Sequence, residues 1–226
     1  INLIMRDPAL MSQEGFRGVM DVFLPQCRRA GKYQQMAGTV IEDINCEDGS
    51  YHDNRPQIFA TGLMQGTIMG QAVRRQPFGL VVRTNDLVER IDNYGFQGHD
   101  LTFVFHGEGS RVGAVRIGTK ELKHCTQLPE TWLENDAEVR VEMNEEASEA
   151  PVWMASSLRL LDAEAGEGSM RYTARAYGRN SISFDRRPAS IGVTVEGEEI
   201  EADIHEANGW CYVDFPGVGS ATITIG

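Results

Sequence analysis

The chain has 226 residues, of which 41% are hydrophobic and 24% charged, a composition that excludes a disordered polymer and provides for one or two packed domains. Its formal net charge is -12, a field that repels phosphate backbones and anionic membranes and argues against nucleic acid or lipid headgroups as partners. Such a balance suits a neutral or cationic ligand, or serves solubility alone.

The first third reads as helical. Over residues 12–30 the apolar side chains Phe16, Val19, Met20, Phe23, Leu24 and Cys27 recur at helical spacing, with Pro25 predicting a kink and Gly31 a stop. Residues 33–44 form a shorter helical or mixed segment, and residues 45–50 a polar loop. Pro56 is placed to open another helix running to about Arg74, with Gly62, Gly66 and Gly70 on one ridge that lets a neighbouring backbone approach. Gln76-Pro77-Phe78-Gly79 then reads as a boundary.

Beyond Leu80 the texture becomes that of strands. Short β-rich runs are predicted at 101–106, 112–117, 137–143, 156–161, 170–177, 181–184, 191–195, 210–215 and 221–225. Turn signals at Gly107-Glu108-Gly109, Gly166-Glu167-Gly168, Glu196-Gly197-Glu198 and Pro216-Gly217 separate them, a pattern that points to antiparallel β-sandwich structure. The predicted class is therefore α+β, with a helical segment at 1–76, a β-sandwich unit at 77–150, and a second unit or its continuation at 151–226.

Four cysteines stand far apart at Cys27, Cys46, Cys125 and Cys211 without metal-ligand spacing, so free thiols and a reducing, cytoplasmic setting are favoured. The histidines form no H-x-x-x-H pattern and no Gly-x-Ser-x-Gly elbow is present, so neither a zinc enzyme nor a serine hydrolase is expected. No cofactor is implied. No apolar run is long enough to span a bilayer. Trp132, Trp153 and Trp210 could stack on sugars, although a lone tryptophan in a β domain is more often core or edge packing; Trp210 follows the hairpin signal Asn208-Gly209 and has slightly better odds of exposure.

The densest polar cluster is 42–53, and three readings compete for it. Asp43, Asn45 and Glu47 alternate like the opening of a calcium loop, although the glycine is displaced and Asn54 stands where a bidentate glutamate belongs. Glu42 or Asp43 could supply one of the two carboxyl groups that glycoside cleavage needs. A run of acids is also the ordinary composition of a solvated turn.

Residues 42–49 (EDINCEDG), followed by 59–63 (FATGL), resemble the end of an α/α toroid glycosidase. In particular they are similar to bacterial relatives of processing α-glucosidase I and mannosylglycerate hydrolase. Residues 96–118 resemble the β domain that follows the toroid in several glycosidases and disaccharide phosphorylases. The resemblance implies hydrolysis of a glycosidic bond with inversion, Glu42 serving as general base and Asp43 as second choice. Tyr51, His52 and Arg55 would orient sugar hydroxyls or the base, and Thr61 with His52 is loosely placed to hold phosphate. The acid partner, and the rest of the toroid or another subunit, would lie outside this chain, which begins at Ile1 and reads as a fragment. Two other expectations stand beside this one: a non-catalytic carbohydrate-binding or assembly module, and a structural subunit of a larger assembly.

Overall fold

The computed structural model describes residues 72–85, 88–145, 150–166 and 168–226, together with residue 70 and the backbone of 40–41 and 56–57. The chain separates into two compact units, Ile1–Gln71 and Ala72–Gly226. Among the described residues no helix is long and apolar enough to cross a membrane.

The expected α+β class, a helical segment ending an α/α toroid, is overturned. The described residues are nearly all β, 65% strand against 3% helical. In the first unit β1 (Val40–Ile41) pairs antiparallel with β2 (Pro56–Gln57), so Pro56 stands in a strand pair instead of opening a helix. Its fixed φ and missing N–H are compatible with a sheet edge. The helix expected to run to about Arg74 is excluded at its end by β3 (Val73–Gln76), which pairs with β4 (Gly79–Val82). Gln76-Pro77-Phe78-Gly79, read as a boundary, is the turn of this hairpin, and Pro77 presets the φ that its first central position needs. The helix expected at 12–30 lies outside the described residues.

A five-stranded sheet is built from β5 (Arg90–Phe96), β6 (His99–His106), β7 (Arg111–Ile117), β8 (Lys120–Lys123) and β9 (Glu138–Asn144), in the order β5-β6-β9-β7-β8. Its buried face follows the two-residue period: Leu101, Phe103 and Phe105 from β6, Val115 and Ile117 from β7, and Val139 and Val141 from β9. Although β6 and β7 are consecutive, they are not neighbours. β9 inserts between them, parallel to β6 and antiparallel to β7. The loop joining β6 to β7 must therefore arch over the end of β9. Gly107 and Gly109 carry it there, and a Cβ on Gly109 would lie 2.1 Å from the Asn144 carbonyl carbon.

A seven-stranded sheet is organised around two long strands, β12 (Met170–Phe184) and β16 (Trp210–Ile225), paired without a register shift. β10 (Trp153–Ser156) and β11 (Arg159–Ala165) flank β12 one after the other, while β13 (Ile191–Val195) and β15 (Asp203–Ala207) flank β16; β14 (Glu198–Glu199) pairs with β13. Sequence patterning broke each long strand in two, at Gly178 and at Pro216-Gly217. Asn180 explains the continuity of β12. It is buried, its Oδ1 accepts the Tyr177 N–H at 2.9 Å, and its Nδ2 is shared among the carbonyls of Gly178, Phe215 and Gly217 at 3.0–3.2 Å. One side chain thus satisfies the backbone groups that an irregularity beside proline would leave unpaired.

Residues 124–128 tie the sheets together. The N–H of Val82 donates to Thr126 O, Thr126 N–H donates to Trp153 O, and Trp153 N–H donates to His124 O, so this segment lies between β4 and β10. Gln127 is 1% exposed, yet both ends of its side-chain amide are hydrogen-bonded. Its Nε2 donates to Leu158 O at 2.8 Å, and its Oε1 accepts from Trp153 Nε1 at 3.2 Å and Ser156 Oγ at 2.8 Å. Around it Trp153, Tyr172 and Phe184 form the aromatic centre of the core. Cys125 and Cys211 are buried free thiols, and burial pushes both thiols up, away from the thiolate form.

Candidate functional site: the outer face of the long sheet

Every residue singled out for chemistry in the sequence, Glu42, Asp43, Tyr51, His52, Arg55 and Thr61, lies outside the described residues. Among the described residues no group of His, Cys, Asp or Glu is assembled to hold a metal ion. Within Ala72–Gly226, the side chains best placed to meet a ligand lie on the outer face of the β12–β16 pair.

That face follows from alternation. Along β16 the odd positions Cys211, Val213 and Phe215 are buried, which turns Trp210, Tyr212, Asp214, Pro216 and Val218 outward. Trp210 is the one exposed tryptophan of the three, at 37%, since Trp132 and Trp153 are buried. Its position depends on the two-residue turn Asn208-Gly209, where both φ angles are positive (53° and 78°), as a type I′ hairpin requires. The turn sets the β15–β16 register so that Ala207 faces Trp210, His205 faces Tyr212 and Asp203 faces Asp214.

The result is an aromatic row beside carboxylates. The His205 and Tyr212 rings stack with centroids 5.4 Å apart and an interplanar angle of 17°. His205 Nδ1 stands 3.8 Å from Asp214 Oδ2, a contact that becomes an ion pair only when the imidazole is protonated. Asp214 Oδ1 is buried and has no hydrogen-bond partner among the described residues. Asp203 directly across the ladder adds a second carboxylate, a like-charge juxtaposition that costs stability and gains nothing for the core. On the other flank Ser181 faces Asp214 across β12.

A second aromatic station lies farther along the same face. Tyr177 of β12 faces Val218 of β16, eight residues beyond Trp210, or roughly 27 Å at the rise of an antiparallel strand. Phe78, from the β3–β4 turn, stacks on Tyr177 with centroids 4.7 Å apart and an angle of 13°. Tyr177 remains 43% exposed and Val218 66%. Arg159 borders the station, held by both oxygens of Glu130 and facing the Tyr177 hydroxyl. The Arg159 guanidinium in turn holds the Glu130 carboxyl below the usual carboxylate range. Glu130 sits in a single 3-10 turn, Glu130–Trp132, that is pinned to β11 by Thr131 Oγ1 donating to Leu161 O at 2.7 Å and Trp132 Nε1 donating to Asp162 Oδ1 at 2.6 Å.

Chemically, this face offers flat ring surfaces for stacking, carboxylate acceptors for hydroxyl groups, and cations for anionic groups. Sequence reasoning found Trp210 through its turn but missed His205, Tyr212, Asp214 and Tyr177. The alternation Trp210-x-Tyr212-x-Asp214 carried a usable signal, three polar-tipped side chains on one side of a single strand. Compared with family models and with curated proteins, the chain matches none.

Proposed function

We propose that the Ala72–Gly226 unit is a non-catalytic carbohydrate-binding module, its sheets packed as a β-sandwich, with the outer face of β12–β16 as the binding surface. The observation that carries this reading is the row Trp210–Tyr212–Asp214 with His205 stacked beside it. A pyranose presents a C–H face to an aromatic ring and equatorial hydroxyls at its edge, so rings next to carboxylates match both of its surfaces. The resemblance of residues 96–118 to β domains of carbohydrate-active enzymes supports the same ligand class. The hydrolytic reading rests on Glu42 and Asp43, outside the described residues, and no feature of this face adds to it.

Trp210→Ala is expected to weaken retention on an immobilised polysaccharide by about tenfold, the loss of one good stacking contact of ~1–1.5 kcal/mol. The substitution removes a side chain from the surface, so the unfolding midpoint should stay within a few degrees. Undiminished retention by Trp210→Ala together with Tyr212→Ala would remove this face from the function.

A further inference from the structure

The ligand class can be narrowed by the charges on β12, an inference that rests on the carbohydrate-binding reading above. Arg171, Arg175 and Arg179 are all exposed and occupy outward positions of the strand, four residues apart. At the rise of an antiparallel strand they are spaced roughly 13 Å from one another. None of the three enters an ion pair or side-chain hydrogen bond among the described residues, unlike neighbouring Arg159, which Glu130 holds. Hydroxyl groups of Thr173 on β12 and of Ser220, Thr222 and Thr224 on β16 stand beside them on the same face. We propose that this face takes an acidic polysaccharide, lying along β12 with its carboxylate or sulfate groups on Arg171, Arg175 and Arg179 and its sugar rings on the aromatic stations.

The net charge of -12 repels an anionic polymer at long range, but salt screens that repulsion. Charges separated by more than the Debye length, about 8 Å at physiological salt, are largely screened, so a ligand responds to the local charges. Glu164 faces Arg171 across the β11–β12 ladder and Asp214 lies at the Trp210 station, which leaves Arg175 and Arg179 to supply most of the attraction. A single extended chain of acidic sugars, of which the arginines meet only some carboxylates, fits one strand beside ring surfaces better than duplex nucleic acid, which carries one charge per ~1.7 Å. The arginines are also strung along a strand beside ring surfaces, which suits an extended chain better than a compact anion.

The test uses the full chain with polygalacturonate and with the same polymer fully methyl-esterified, which keeps the backbone and removes the charge. Polygalacturonate is expected to bind about tenfold more tightly than its ester, and the difference should shrink as salt rises. The double variant R175Q/R179Q should lose that preference while its circular dichroism stays that of the parent. Equal binding of both polymers, unchanged in the variant, overturns the acidic ligand and leaves carbohydrate binding standing. Failure to bind these or any neutral polysaccharide overturns both readings. Self-association that R175Q/R179Q abolishes, without polymer binding, would reassign the face to contact between copies of the chain.

Discussion

Trp153→Ala is expected to lower the unfolding free energy by about 3–5 kcal/mol, among the largest effects open to a single substitution in this chain. Trp153 is fully buried, with Tyr172 at 4.7 Å and Phe184 at 5.9 Å between ring centroids. Truncation leaves a cavity that these rigid rings cannot readily fill. It also removes the indole donor from Gln127 Oε1, although Ser156 Oγ still donates to the same atom. The backbone of Trp153 bridges residues 124–126 to β10, so loosening it releases the junction between sheets as well as the core. Equilibrium denaturation in urea measures the change; a loss under about 1 kcal/mol would mean that Trp153 is not the centre of this core.

Gly109→Ala is expected to cost roughly 3 kcal/mol or more, while Gly98→Ala costs only about 1–2 kcal/mol. The two glycines separate two physical effects. Gly98 has φ +85° in the β5–β6 hairpin and open space where a Cβ would be, so only backbone strain acts. At Gly109 the added carbon meets the backbone of Asn144 at 2.1 Å and Glu145 N at 2.7 Å, so the arch must lift off β9. A similar cost at both positions would contradict the insertion of β9 beneath that loop.

The strands were legible where alternation was clean. β6 with Leu101, Phe103 and Phe105, and β13 with Val193 and Val195, show the period directly. The long strands were not, because Gly178 and Pro216-Gly217 are local turn signals overridden by a tertiary contact, the Asn180 side chain, that no short window contains. Gly107-Glu108-Gly109 reads as a turn in the sequence, but its reason is a strand inserted some 35 residues later in the chain. The β3–β4 hairpin was missed since Arg74, Arg75 and Gln76 resemble a charged helix end and Pro77 a break. On the proposed binding face, Trp210 is visible from Asn208-Gly209. The stacking of His205 on Tyr212 depends on register across that turn, and Tyr177 joins Phe78 only through contacts spanning about a hundred residues.

Chemical-shift mapping tests the proposed binding of carbohydrate by the outer face of β12–β16. A nitrogen-15-labelled full chain would be titrated with an oligogalacturonate while amide and indole signals are followed. The predicted result is that shifts concentrate at Trp210, including its indole N–H, at Tyr212 and His205, and along Arg175, Tyr177 and Arg179. Shifts confined to the five-stranded sheet, or none with this oligomer and none with a neutral oligosaccharide, would contradict it.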